Sequence, residues 1–138
     1  DWRMPTTIDR TIFKLQVFVV HTVNGESVIS FGQISYRYLL DGIFFQEVRT
    51  LKANLYKPPH NAVPDKHGPM THIHTILSGG FTIYVGPDDS SHHFGLNDVV
   101  AFINYNGKGH SSKVDRAGCV RLFQTRRGLI KLKNLEKM

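Results

Sequence analysis

An alternation of apolar and polar residues with a period of two runs through almost the whole chain, and it limits the fold more than any other feature. From Thr11 to Val20, Phe13, Leu15, Val17 and Val19 fall on one face. Asn24-Gly25 is a strong hairpin signal, and Ser27–Phe31 is the return strand. Ile43–Arg49 and Leu51–Tyr56 are the next extended runs. Pro58-Pro59 is expected to end them, and Lys57–Met70, with four prolines, reads as a loop. His72–Leu77 and Phe81–Val85 read as strands joined by a Gly79-Gly80 turn. After the turn Gly86-Pro87-Asp88-Asp89 come His92–Gly95 and Val99–Ile103, then a glycine-rich loop to Gly109. Cys119–Thr125 and Leu129–Leu132 complete the pattern, and the tail Lys131–Met138 has room for one helical turn. No segment carries a helical stripe of ten or more residues. About ten short strands separated by turns predict an all-β sandwich or small β-barrel.

The 138 residues are expected to form a single domain, with Asp1–Arg10 as an N-terminal arm. The apolar runs, such as Phe18-Val19-Val20, are far shorter than the roughly 20 residues of a membrane helix. A lone Cys119, no Asn-x-Ser/Thr acceptor and no signal-peptide pattern lead us to expect a cytoplasmic protein. The net charge of +6 raises the question of nucleic acid. Much of the excess lies at Arg121, Arg126, Arg127, Lys131, Lys133 and Lys137, alternating with apolar residues as on a solvated strand face. No helix-turn-helix, zinc-finger or base-stacking motif accompanies it, so no nucleic-acid partner is expected. A basic surface that attracts an anionic substrate is the simpler reading.

Chemistry enters with the histidines. His67, His72 and His74 lie in one stretch with Asp65, and His110 follows some forty residues later after Gly107-Lys108-Gly109. Residues two apart on a strand point the same way, so Asp65 and His67 form one pair and His72 and His74 another. With the Gly68-Pro69 bend between them, both pairs can converge, and His110 must join from a different strand. Clustered imidazoles are a common way to hold a transition metal. His92 and His93 point to opposite faces and are read as non-ligands, and His21 and His60 as strand-end and loop residues. Cys119 falls within an apolar strand and is expected to be an inert core thiol.

The stretch from about Leu51 to Thr125, which carries these residues, resembles the cupin superfamily of small barrels. Asp65-x-His67, four residues, His72, six residues and Gly79 reproduce the spacing of the first cupin motif. Gly107-x-x-His110 resembles the second, and Asn97-Asp98 stands where the family has Gly-Asp before a strand. Three positions depart from the pattern. Asp65 replaces a His, His72 replaces a Glu, and Val114 stands in place of an Asn. The resemblance implies a jelly-roll, double-stranded β-helix barrel with a metal shell of Asp65, His67, His72 and His110. A second registration takes His72 and His74 as the metal pair and drops Asp65. In either case His74 is expected to point into the barrel.

The resemblance therefore implies a metal-dependent enzyme for a small organic substrate. Iron would activate oxygen for dioxygenation; zinc, nickel or manganese would act as a Lewis acid for isomerisation, cyclisation or elimination. His74 is the expected catalytic acid/base. The alternatives are a metal-free barrel whose histidines act directly as acid/base, as in a cyclase or isomerase, and a non-catalytic ligand sensor. A homodimer is also expected, with the Phe- and Val-rich strands Thr11–Val20 and Ile43–Arg49 pairing across a two-fold.

Overall fold

The alternation resolves into nine strands and one short helix in a computed structural model that describes residues 13–62 and 68–137. The expected arm, together with Asp65 and His67, lies outside the described residues. β1 (Lys14–Val23) and β2 (Glu26–Ser35) form the predicted hairpin. Asn24 and Gly25 have φ of 51° and 82°, the left-handed pair that a two-residue loop needs to match strand twist. Helix α1 (Tyr36–Leu40) follows, capped by Ser35, whose Oγ accepts from the Tyr38 N–H at 3.4 Å. β3 (Ile43–Leu51) comes next.

Two expected breaks turn out to be strand. β4 (Tyr56–His60) runs through Pro58-Pro59 and pairs with β8. Its register slips between Lys57 and His60, so the prolines sit where the ladder asks for no N–H. Gly79-Gly80 is not a turn either. It lies within β5 (Met70–Val85), which pairs along most of its length with β8 (His110–Arg127). β6 (Ser90–Phe94) and β7 (Val99–Phe102) lie between those two strands in sequence. A 3₁₀ turn at Leu132–Asn134 and β9 (Glu136–Lys137) end the described chain.

The sheet order is β3-β8-β5-β7-β1-β2-β9, with β4 also on β8 and β6 also on β5. The β1–β7 pairing is parallel and the other pairings are antiparallel. The all-β expectation holds, as a mixed sheet whose ladder stays open at β3 and β9 among the described residues. β1 has strands on both sides, so of the two segments expected at a two-fold only β3 is an edge. Phe44, Phe45 and Val48 are exposed on it.

The sheet divides where β5 and β8 shift register, between Ile76 and Ser78 and again between Gly79 and Phe81. On one side of the shifts β5 pairs with β7, and on the other with β6. The two parts meet in one core. Val20, Ile76 and Val100 from the first part pack with Phe81, Ile83 and Phe94 from the second. The opposite face of the first part buries Val17, Val19, Ile34, Ile73 and Ala101 under Leu39 of α1. Strict alternation sends Ile73 to this second core, and its neighbours His72 and His74 therefore face the first.

Gly79 makes the bend possible. Its φ is +67°, and a Cβ there would overlap the carbonyl oxygen of Gly118 on β8. Gly86 has a similar φ of +76° with nothing within 4 Å of its Cβ position. Gly86→Ala should therefore cost only the left-handed penalty, about 1 kcal/mol, whereas Gly79→Ala adds a backbone clash and should cost clearly more. Urea denaturation of both variants checks the order.

Candidate functional site

The two parts of the sheet enclose an open-mouthed cavity of about 240 Å³. Its floor is apolar, made of Phe81, Phe102 and Val114, all buried. Arg49, Leu55 and Lys57 are exposed at its rim. Four imidazoles line it: His60 from β4, His72 and His74 from β5, and His110 from β8.

Rings alternate around the wall. His72 lies parallel to Phe123, with centroids 5.6 Å apart. His74 packs against both Phe123, at 5.0 Å, and Phe102, at 5.1 Å. His110 lies 5.1 Å from Phe102 and 4.3 Å from His60. The structure thus brings His72, His74 and His110 to one cavity, as expected, with phenyl rings set between them.

Three hydrogen bonds select the ring tautomers. Nδ1 of His60 donates to the Pro58 carbonyl at 2.8 Å, which leaves a lone pair on Nε2 of the neutral ring. Nη1 of Arg121 donates to Nδ1 of His74 at 3.3 Å, and Nδ2 of Asn104 donates to Nδ1 of His110 at 2.8 Å. Both of those rings must carry their proton on Nε2. Burial pushes His74 well below the usual imidazole range, helped by the positive charge of Arg121 and by the neighbouring His72. Burial, with His60 and Lys57 nearby, pushes His110 down to about 3. Both are neutral at physiological pH.

The cations are held in an unusual way. The Arg121 guanidinium lies 4.0 Å above the Phe81 ring, and Arg49 lies 3.7 Å above Phe123. Arg49 also pairs with Glu47. Among the described residues no carboxylate pairs with Arg121, and its buried Nε has no hydrogen-bond partner. No Asp or Glu is among the described lining residues.

The expected metal shell can be tested against these donors. Among the described residues no three His, Cys, Asp or Glu side chains form a group able to hold an ion. His74 and His110 present N–H rather than a lone pair, and Arg49, Lys57 and Arg121 would repel a cation. The described donor set therefore does not fit a metal; Asp65 and His67, its other expected members, lie outside the described residues.

Sequence reasoning missed His60, read as a loop residue, because Pro58-Pro59 concealed β4. It also missed Arg121, read as solvated surface. Its alternation on β8 shows that it shares a face with Cys119 and Phe123, both buried, and that signal was available. Asn104, which is fully buried and bonds His110, carried no signal in its spacing. His92 and His93 stay out of the cavity, as expected. His92 packs on Phe18 and Phe94, and His93 bonds Asp115 at 2.7 Å. Cys119 is buried, forms no disulfide among the described residues and hydrogen-bonds the Arg121 side chain.

A buried imidazole that is neutral when folded and ordinary when unfolded makes the unfolded chain the stronger proton binder below about pH 6.5. The stability due to His74 and His110 is complete above that pH and is lost as pH falls toward their folded values. Each can contribute a slope of up to about 1.4 kcal/mol per pH unit. Urea unfolding should show stability falling from about pH 7 to about pH 5, and His110→Gln should make that fall shallower.

No helix among the described residues is long and apolar enough to cross a membrane. No family model matches the chain, and no curated protein matches it. Among solved structures, the chain is similar to an RmlC-like cupin protein from Desulfovibrio desulfuricans, with 14% identity and a TM-score of 0.39 over 91% of this chain and 90% of that one.

Proposed function

We propose that the chain is a metal-independent acid–base enzyme that moves a proton on a small organic molecule held in the cavity. One observation carries this reading: three imidazoles of the cavity lining differ in what Nδ1 meets, a carbonyl acceptor at His60 and N–H donors at His74 and His110. The chemistry suited to that set is proton abstraction next to a carbonyl. Nε2 of His60 takes the proton from carbon. The electron pair moves onto the carbonyl oxygen, which receives a hydrogen bond from Nε2–H of His74 or His110. Return of the proton to another face or another carbon gives an isomer and restores both imidazoles. The apolar floor strengthens those hydrogen bonds by excluding water.

The test has two arms. Metal quantification on the purified chain should find no stoichiometric ion. Incubation with small carbonyl compounds in D₂O should exchange their α-protons, as read by proton NMR. His60→Gln and His74→Gln should each slow exchange by about 10² or more. A stoichiometric divalent ion that disappears in His67→Ala and His110→Ala would overturn this reading in favour of a metal centre. Ligand binding without any exchange would leave a sensor.

For quaternary structure we propose a two-fold dimer through β3, whose outer backbone edge is open beside exposed Phe44, Phe45 and Val48. Light scattering at micromolar concentration should give twice the chain mass, and Val48→Lys should shift it to a monomer.

A further inference from the structure

We infer that the molecule held in this cavity is a small monocarboxylate with a flat apolar body, and that Arg121 is the residue that binds its carboxylate. This rests on reading the cavity as a ligand site, and it adds the ligand's charge, size and shape.

The charge follows from the wall. Arg49, Lys57 and Arg121 line the cavity, and none of the described lining residues is acidic. A partly buried guanidinium without a carboxylate partner is costly, and an anion brought in by the ligand removes that cost. Arg121 is also oriented for the task. Its plane is held on the Phe81 ring, one terminal nitrogen donates to His74, and the Cys119 thiol is a further hydrogen-bond partner. A planar guanidinium fixed on one face offers its edge, and that edge matches a carboxylate in a two-point contact. The same contact places the carboxylate beside His74, within reach of the proton chemistry.

The size and shape follow from the volume and the floor. Drug-sized ligands occupy cavities of about 300–1,000 Å³, and this one measures about 240 Å³. A benzene ring fits a dry cavity of about 150 Å³, so a ring plus a carboxylate can be accommodated here and a nucleotide cannot. Phe102, on the cavity floor, offers aromatic surface to such a ring. Phosphate shares the fork-binding chemistry but would leave this aromatic surface unused.

Calorimetric titration with benzoate, benzamide and inorganic phosphate tests the inference. The intact chain should bind benzoate at least about tenfold more tightly than its neutral isostere benzamide, and more tightly than phosphate. Arg121→Gln should abolish the preference for benzoate over benzamide. Arg121→Lys should restore it only in part, because an ammonium lacks the fork. Circular dichroism on each variant confirms folding, and the comparison of ligands on the intact chain stands without any variant. Equal affinity for benzoate and benzamide, a preference that survives Arg121→Gln, or phosphate matching benzoate would each overturn the inference. The proton-transfer reading fails separately: benzoate selectivity with no α-proton exchange on any carbonyl compound sinks that reading alone. Exchange that is equally fast on neutral and carboxylate compounds, with no benzoate preference, sinks this inference alone.

Discussion

The pairing of β5 with β8 is interrupted twice within a few residues, and the molecule is organised around that interruption. Two long strands hydrogen-bonded without a break would hold β6 and β7 in one continuous surface. A register shift increases local twist and lets a strand pair bend. Here the shift is set by Gly79, whose left-handed backbone lies against the backbone of Gly118. No side chain fits between them, so close approach and bend come together. Once bent, the sheet brings Phe81 and Val114 opposite Phe102, and the space left among them is the cavity.

The electrostatics of that space have a single logic. Arg121 and Arg49 rest on the faces of Phe81 and Phe123. A ring face attracts a cation without occupying its N–H donors. The wall around Arg121 therefore stays positive, whereas Arg49 is paired with Glu47. Arg121 and Arg49 raise the cost of protonating His74, and His60 and Lys57 raise that of His110, rings that burial already holds neutral. Neutral imidazoles and an unneutralised guanidinium are thus two results of one arrangement. A carboxylate ligand is the species that this field favours, and a divalent cation is the species that it disfavours.

Much of this was legible in the alternation, and the failures have definite causes. The hairpin at Asn24-Gly25 and the outward or inward sense of Ile73 between His72 and His74 follow from period two. Gly79-Gly80 and Pro58-Pro59 were misread because glycine pairs and proline pairs usually mark turns. In this chain the glycines permit a close strand crossing within β5, and the prolines lie at a slip on the pair with β8, where their missing N–H costs no ladder bond. That second misreading hid β4 and, with it, His60. Arg121 was hidden for a different reason. A charged residue is normally exposed, and that expectation outweighed its place on β8 between Cys119 and Phe123, on their buried face. The convergence of His72, His74 and His110 on one cavity could be expected from motif spacing, but their separation by Phe102 and Phe123 depends on tertiary packing.

A histidine's chemistry depends as much on the atom bonded to its back nitrogen as on its position. Had Nδ1 of His74 and of His110 met carbonyl oxygens, both rings would face the cavity with lone pairs, the form a metal ion requires. They meet donors instead, a guanidinium and a carboxamide nitrogen. His60 alone of the three has a carbonyl behind it, supplied by Pro58 within the register slip that precedes the pairing of His60 with His110. Three of the four imidazoles in the cavity are thereby divided into one proton acceptor and two proton donors. A proton shuttle needs that asymmetry, and a symmetric set of ligands would lack it.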